Sequence, residues 1–311
     1  GMIKMKNIID EMISRITPPD IRKVYRVHRE LIHLLVRTAA TAKDGHYDKN
    51  ITAHDGRAIP VRVYPPSMLS PRKRVLVFFH GGGWVIDDID RYHKVCKQLS
   101  TITGSYVVSV NYRLAPEHKY PAGLDDCFEA AEMIYKYAVK SGISRNDIIL
   151  IGDSAGGNLA AAVALKARDT GAFRIRRQIL IYPATDCEFG EDTPYRSFKE
   201  NGKGCILTAD RMRGYLELYL NTPDEKNDPY VAPMKAKSLK GMPDTLVITA
   251  ERCPLRDEGE ALAKRLYKSG ARTMAFRIKK AYHGFFATDL QFNPHARQAV
   301  SMIMYFLRLT D

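Results

Sequence analysis

Ser154 lies in the stretch IGDSAGGN, where two glycines flank it at the spacing of a strained nucleophile turn. Gly152-x-Ser154-x-Gly156 falls between a buried apolar run and an alanine-rich segment, which is the strand-turn-helix context that such a turn requires. A glycine-rich phosphate loop is the alternative, but no Gly-Lys-Ser/Thr follows. The pattern predicts an exposed serine hydroxyl at a helix start, where the helix dipole favours developing negative charge.

The stretch FFHGGGW predicts a site that binds an oxyanion. Three glycines follow the apolar run RVLVFF, and bare backbone N–H groups at such positions can point at a shared oxygen. Together with the N–H of Ala155 they would form an oxyanion hole, in which single donors contribute about 3 to 4 kcal/mol. A flexible loop is the alternative for this stretch taken alone.

A base for Ser154 is predicted in the stretch AYHGFF. His283 follows the last predicted strand and precedes the last predicted helix, which is where a base that comes last in the chain order of a triad would lie. The chain has nine histidines, so each is on its own more often a surface or core residue. His283 is the one that occupies this position between the final strand and helix.

Apolar runs that alternate with helical patterns predict how these residues are positioned. Strands and helices alternate along most of the chain, which is typical of an α/β fold with a mostly parallel sheet and helices on both faces. Two alternating runs around Asp55-Gly56 predict an antiparallel N-terminal hairpin. Helices are expected near 91–103, 121–142, 257–269 and 294–309. With the hairpin, the strands number eight.

Two segments depart from this alternation. Residues 1 to about 45 read as two helices separated by Pro18-Pro19, and residues of about 188–235 contain a helix near 210–220 with irregular flanks. Insertions that follow sheet strands tend to form the walls and lid of a site, because ligands bind beyond the carboxyl ends of the strands. We therefore expect both segments to cover the site.

Composition limits the other classes of function. No run of eighteen apolar residues occurs, which argues against a membrane span. Five scattered cysteines without CxxC spacing argue against a disulfide framework or a metal site, and they fit a reducing cytoplasm. The net charge of +13 is spread in short groups interspersed with acids. This pattern favours a solvated basic surface over nucleic-acid binding, while an anionic partner or substrate stays open.

Six motifs in one order resemble the hormone-sensitive-lipase-like carboxylesterases of the α/β-hydrolase fold. The resemblance covers roughly residues 55–311, and the motifs read HGGGW, NYRLAPEHKYPAGLDD, GDSAGGNLA, YPATD, PLRDEGEALAKRL and HGF. The resemblance implies a hydrolase domain over residues 46–311, a helical cap from residues 1–45 and the insertion at about 188–235, and no cofactor. It also implies Ser154 as nucleophile, His283 as base, and Gly82, Gly83 and Ala155 as oxyanion donors.

Cys253 departs from the family pattern at the position of the triad acid. The family reads Asp-Pro-Leu-x-Asp-Glu after the seventh strand, whereas this chain reads Cys253-Pro-Leu-Arg-Asp-Glu. A triad acid accepts a hydrogen bond from the imidazole, fixes its tautomer and stabilises the imidazolium. A thiol is a weak acceptor and is mostly uncharged at pH 7. Cys253 is also open to interpretation as a small buried residue that a drifted enzyme tolerates.

Three carboxylates near this slot are alternative acids. Asp186 closes the motif YPATD at a neighbouring strand end, from which some α/β-hydrolases take their acid. Glu251 shares the face of Cys253 but would have to bend back, and Asp257 falls in the first turn of the next helix, where helix capping is the alternative. The sequence therefore leaves the acid open among Cys253, Asp186, Glu251 and Asp257.

An esterase is the function that the sequence favours. Ser154 would attack a small-molecule ester of short to medium chain length, and the altered acid would weaken the enzyme or reroute its chemistry. The alternative is a hydrolase-fold protein that has lost its activity and binds a small ligand in the capped pocket. A homodimer through the final strand or helix is expected from the family resemblance alone.

Overall fold

An eight-stranded sheet forms the centre of the molecule. The structure, a computed structural model, describes residues 18–36, 45–68, 70–204 and 206–309. The helix expected before Pro18 and the fifth cysteine, Cys205, lie outside these ranges. The strands are β1 (Tyr47–Thr52), β2 (Ala58–Tyr64), β3 (Val75–Phe79), β4 (Tyr106–Val110), β5 (Ile148–Asp153), β6 (Arg177–Ile181), β7 (Asp244–Arg252) and β8 (Thr273–Tyr282).

The sheet is antiparallel at one edge and parallel elsewhere. Its spatial order is β1-β2-β4-β3-β5-β6-β7-β8, and β2 pairs antiparallel with both β1 and β4. The predicted hairpin is confirmed, because Thr52 pairs with Ala58 across the turn that contains Asp55-Gly56. β3, β5 and β6 are buried along their whole length, as expected of central parallel strands with continuous apolar sequences. The mostly parallel sheet that the sequence predicts is therefore confirmed.

Helices surround the sheet. In the described ranges they are α1 (Ile21–Val36), α2 (His93–Thr103), α3 (Ala122–Lys140), α4 (Ala155–Thr170), α5 (Arg196–Asn201), α6 (Ala209–Tyr219), α7 (Arg256–Lys268) and α8 (Pro294–Arg308). α4 packs on β5 and β6, and α7 packs on β7 and β8. The expected helix positions hold to within about two residues. The short α5 is an addition, because its sequence RSFKEN carries no helical apolar stripe.

α1 and α6 pack against each other although they are far apart in sequence. A Cβ added to Gly214 would lie 2.7 Å from Ile21 Cγ2, so the missing side chain lets the two helices approach closely. Arg22 on α1 also forms ion pairs with Glu217 at 2.6 Å and with Asp210 at 3.5 Å. None of the described helices is long and apolar enough to cross a membrane.

The start of α4 approaches the end of β3 so closely that only glycine fits there. A Cβ added to Gly156 would lie 1.8 Å from the Phe79 carbonyl oxygen, which belongs to the backbone and cannot move aside cheaply. α4 is also fully buried from Ala155 to Leu165, where small residues let it lie close to the sheet. The position of Ser154 relative to β3 is thus fixed by this contact.

We predict that Gly156→Ala lowers the free energy of unfolding by about 3 kcal/mol, since the added methyl group overpacks a backbone contact. Gly190→Ala is the matched control, because an added Cβ there meets no atom within 4 Å. That control should stay within about 0.5 kcal/mol of the parent protein. Urea unfolding at 25 °C gives both values, and equal values for the two variants would contradict the close approach.

Candidate active site

Ser154 lies in a tight turn between β5 and α4, as its sequence context predicts. Its backbone has φ 56° and ψ −118°, a conformation that non-glycine residues rarely adopt and that costs about 1 to 3 kcal/mol. The turn is held by a hydrogen bond from Ser154 N to the Ile181 carbonyl at 2.8 Å and by one from Asn158 N to the Ser154 carbonyl at 3.0 Å. The strained backbone presents the hydroxyl at the carboxyl edge of the sheet.

His283 reaches Ser154 from the loop after β8. Its Nε2 lies 2.9 Å from Ser154 Oγ, within hydrogen-bond distance. The ring is half-buried and packs on Tyr182, whose ring centroid lies 4.4 Å from that of His283. Desolvation lowers the pKa of His283 to about 3. The imidazole is therefore neutral at physiological pH, which is the form that can accept a proton from Ser154.

Cys253 occupies the position of the triad acid in space as well as in sequence. It follows β7 directly, and its Sγ lies 3.1 Å from His283 Nδ1, on the far side of the ring from Ser154. The backbone N–H of Leu255 also donates to this sulfur at 3.4 Å. Desolvation raises the pKa of the fully buried Cys253 thiol well above its usual value, so the group is uncharged.

The three alternative carboxylates bind other partners. Asp186 accepts a hydrogen bond from the Tyr195 hydroxyl and lies 3.9 Å from Lys235 Nζ. Asp257 accepts from the Ser197 N–H at 2.7 Å, and Glu251 accepts from the Lys280 N–H at 2.5 Å. Within the part of the chain that the structure describes, His283 Nδ1 has the Cys253 sulfur as its hydrogen-bond partner and none of these carboxylates.

A neutral thiol cannot fix the tautomer of the imidazole as a carboxylate does. A carboxylate only accepts, so it requires a proton on Nδ1 and leaves Nε2 free to accept from the serine. A thiol can accept weakly from Nδ1–H, but it can also donate its own proton to Nδ1. In the second arrangement Nε2 carries the proton and cannot take one from Ser154. Cys253 therefore lies where a triad acid would lie, but its thiol does not fix the proton of His283 on Nδ1.

The glycine loop after β3 lies beside the serine and is anchored by Asp153. Its carboxylate accepts from the Gly81 N–H at 2.8 Å and from the Tyr92 and Tyr182 hydroxyls at 2.8 and 3.1 Å. Burial raises the pKa of Asp153 to about 6. Sequence reasoning missed this role, although the residue directly precedes the serine. The anchor fixes the loop that carries Gly82 and Gly83.

Gly82, Gly83 and Ala155 line one cavity together with Ser154 and His283. Gly83 has φ 60°, and an added Cβ would lie 2.3 Å from Tyr215 Cγ, so the loop needs glycine here. No backbone hydrogen bond within the described ranges uses the amides of Gly82, Gly83 or Ala155 as donors. These N–H groups are thus available to a ligand that sits beside the serine hydroxyl.

Comparison with known proteins identifies the family. Residues 76–287 match the α/β-hydrolase fold family. The arylesterase of Saccharolobus solfataricus is 34% identical over 251 residues, which cover 80% of this chain and 79% of that protein. Carboxylesterase NlhH of Mycobacterium tuberculosis is 36% identical over 242 residues, covering 76% and 75%. A hyperthermophilic esterase from the archaeon Pyrobaculum calidifontis has a TM-score of 0.85 and 35% identity, and the match covers 98% of this chain and 97% of that one.

The chain belongs to the hormone-sensitive-lipase-like carboxylesterase family of α/β-hydrolases. The resemblance inferred from the six motifs is thereby confirmed, and so is the fold class.

The cavity of this hydrolase contains charged side chains that sequence reasoning missed. It has a volume of about 360 Å³, and Leu207, Met212 and Tyr215 give it apolar walls. Its other lining residues include His28, Asp87, Arg91 and Arg211, which come from α1, the segment after the glycine loop, and α6. No motif marks these four residues, because they are brought together only by the packing of α1 and α6 over the sheet edge.

We predict that His283 stays neutral at pH 5 and exchanges between its two tautomers, because its pKa lies below the ordinary value and its Nδ1 partner can both donate and accept. Two-bond ¹⁵N–¹H correlation spectra of histidine-labelled protein report both properties, and His283→Asn assigns the signal. In Cys253→Asp the signal should move to the tautomer protonated at Nδ1. A titration midpoint near 6.5 in the parent protein would contradict this reading of the site.

Proposed function

We propose that the protein hydrolyses carboxylic esters through Ser154 and His283. The observation that carries the proposal is the 2.9 Å contact between Ser154 Oγ and His283 Nε2 in the cavity that the amides of Gly82, Gly83 and Ala155 also line. A hydroxyl beside a base and a set of free N–H donors is the arrangement that acyl transfer requires. The curated relatives, whose names are arylesterase and carboxylesterase, support the same reaction class.

The reaction proceeds in two halves. Ser154 Oγ attacks the ester carbonyl carbon while its proton passes to Nε2 of His283, and the carbonyl oxygen takes up negative charge beside the three amides. The C–O bond to the alcohol then breaks, and Nε2 returns the proton to the leaving oxygen. Water, deprotonated by Nε2, attacks the acyl-enzyme and releases the carboxylic acid and Ser154. Cys253, at the position of the triad acid, takes up no proton in either half of the reaction.

Cys253 weakens the step in which His283 becomes charged. The imidazolium needs a negative partner at Nδ1, and burial keeps the thiol neutral. Loss of the acid in serine proteases costs about 10⁴-fold in rate, while about 10³-fold acceleration over water remains. Activated esters, whose leaving groups need little protonation, should therefore be turned over faster than alkyl esters. Short to medium acyl chains fit a cavity of about 360 Å³.

We also propose that α1 and α6 form a cap over this site, with residues 1–45 and about 188–235 as the cap segments and residues 46–311 as the hydrolase domain. His28 on α1 and Arg211 on α6 both line the cavity, and the two helices are joined by the contact between Ile21 and Gly214. The cap would exclude water from the reacting ester.

A second candidate function is the binding of a small ligand without turnover. The neutral thiol at the acid position is the observation that favours it, since a binding protein has no need for a charged partner at His283. The aligned Ser154 and His283 favour the enzyme instead, because a binding protein has no need for that contact either.

We predict that Ser154→Ala abolishes hydrolysis of 4-nitrophenyl acetate, because Ser154 carries the hydroxyl that contacts His283 Nε2 among the described residues. Initial rates of purified parent and variant at pH 7.5, corrected for spontaneous hydrolysis, decide between the two functions. Incubation with a fluorophosphonate should label the parent at Ser154 and leave the variant unlabelled. Equal rates and equal labelling of the two proteins would end the enzyme proposal.

We predict that Cys253→Asp raises kcat/KM for an alkyl ester by about 10²-fold or more, since the carboxylate would fix the productive tautomer and stabilise the imidazolium. The Leu255 N–H, which now donates to the sulfur, would also donate to the new carboxylate. The gain should be smaller for an activated ester. Titration of kcat/KM should show an acid limb nearer neutrality in the variant, because the carboxylate raises the pKa of His283.

Two control variants accompany this prediction. Cys253→Ala removes both the acceptor and the donor at Nδ1, and it should not exceed the parent rate. Asp186→Asn should leave the rate within about twofold of the parent, because that carboxylate binds Tyr195 and Lys235 instead of His283. A fall in rate for Cys253→Asp in folded protein, or a large loss for Asp186→Asn, would contradict the assignment of Cys253 to the acid position.

A further inference from the structure

Two arginines in the active-site cavity, Arg91 and Arg211, have hydrogen-bonding capacity that no acid among the described residues uses. Arg91 donates one hydrogen bond to the Ala287 carbonyl at 3.2 Å, and Arg211 donates one to the Tyr215 hydroxyl at 3.2 Å. Among the described residues, neither forms an ion pair with a carboxylate within 4 Å. Arg29, which follows His28 on α1, differs from them: it binds the Glu117 carboxylate with both terminal nitrogens. Each cavity guanidinium therefore keeps N–H donors for a ligand.

The groups around these arginines leave the cavity electropositive. Desolvation lowers the pKa of His28, and the charges of Arg211 and Arg91 lower it further. The His28 ring is therefore neutral at pH 7. Burial raises the pKa of Asp87 to about 7, against the opposing effect of Arg91 and Arg211. Asp153 also lines the cavity, but its carboxyl group binds the Gly81 N–H and the hydroxyls of Tyr92 and Tyr182. Among the described residues, neither Asp87 nor Asp153 forms an ion pair with the two arginines within 4 Å. The positive charge is available to a bound anion.

We propose that the ester hydrolysed at Ser154 carries a carboxylate, and that Arg91 and Arg211 bind it. The planar guanidinium matches the two oxygens of a carboxylate, and such charge-assisted hydrogen bonds are stronger than those between neutral groups. The inference rests on the proposed function and adds a substrate class to it. The net charge of +13 left open whether the protein has an anionic substrate. A basic protein with a basic cavity attracts such substrates, so the proposal gives this charge a role.

The cavity walls fit the rest of such a molecule. Leu207 and Met212 offer apolar contact to a short methylene chain, while Gly82, Gly83 and Ala155 receive the ester carbonyl. A hemi-ester of a dicarboxylic acid has this order of groups: a carbonyl at one end, methylenes between, and a carboxylate at the other end. Alternatively, the carboxylate lies on the alcohol portion of the ester.

The test compares charged esters with neutral esters of the same shape. The acyl-side pair is mono-4-nitrophenyl adipate and its terminal carboxamide, and the alcohol-side pair is 4-acetoxybenzoate and 4-acetoxybenzamide. We expect kcat/KM to favour the charged member of one pair by about tenfold, as hydrogen bonds to a charged group predict. The pair that shows the preference identifies which side carries the carboxylate. The preference should fall as ionic strength rises.

Variants assign the preference to the arginines. Arg211→Gln should lower the charged-to-neutral ratio by about tenfold, and Arg91→Gln should lower it as well. Arg213→Gln is the matched control: it lies on the same helix, but its guanidinium donates to the Phe189 carbonyl outside the cavity, so the ratio should not change. A ratio near one for both pairs in the parent protein, or a ratio that Arg211→Gln leaves unchanged, would overturn the inference while ester hydrolysis stands.

Calorimetry separates this inference from the proposed function. Ser154→Ala is titrated with monomethyl adipate and with its neutral carboxamide, and then the double variant with Arg211→Gln is titrated with both. We expect the charged ligand to bind about tenfold more tightly, and the double variant to lose this difference. If no ester is turned over, the proposed function fails and these Kd values alone decide the inference. Equal Kd values for the two ligands would overturn it.

Discussion

The hydrogen bond between Ser154 Oγ and His283 Nε2 is the contact on which the proposed chemistry of this hydrolase depends. It joins residues that are 129 positions apart, so nothing local can form it. β5, β7 and β8 lie in the parallel part of one sheet, with β6 between β5 and β7, and their carboxyl ends therefore meet at one edge. Ser154, Cys253 and His283 follow these three ends in turn. The sheet brings the residues together, and each needs only a short loop to complete the approach.

Close backbone packing around Ser154 holds its strained backbone in the conformation that this contact needs. The conformation of Ser154 is strained, and strain of this kind persists only where the surroundings fix it. Gly156 lets α4 lie directly against Phe79, and Asp153 ties the strand end to Gly81 and to two tyrosines. The glycine loop after β3 and the turn that carries Ser154 are consequently anchored to each other before any ligand arrives, which is the preorganisation that the proposed electrostatic catalysis would require.

The sequence predicts the location of groups whose local patterns are tied to backbone geometry. Gly152-x-Ser154-x-Gly156 and HGGGW identify turns that only small residues can form, and His283 is identified by its place after the last strand. The acid was harder to assign, because carboxylates such as Asp186 and Asp257 lie near the slot in sequence and only coordinates show that they bind Tyr195 and Ser197. Arg91 and Arg211 left no signal in the sequence, since their convergence depends on packing between distant elements.

Among the described residues, the buried carboxylates of Asp153 and Glu258 bind backbone amides and tyrosine hydroxyls near the site, and neither contacts the imidazole of His283. Glu258 accepts from the amides of Thr185, Asp186 and Cys187 at 2.6, 2.9 and 3.4 Å, and burial raises its pKa to about 7. Its charge also raises the pKa of Cys253, so it opposes negative charge at that position.

A second buried carboxylate at position 253 would therefore meet both desolvation and the charge of Glu258. A thiol avoids both costs while it fills the same space against His283 Nδ1. The uncharged thiol leaves no negative charge beside His283 Nδ1, which the imidazolium of the proposed mechanism would need. Such a trade between stability and activity is common at sites where function demands strain or buried charge. In this hydrolase, packing holds Ser154, His283 and Cys253 in line, whereas a negative charge beside His283 Nδ1 would depend on the single side chain at position 253.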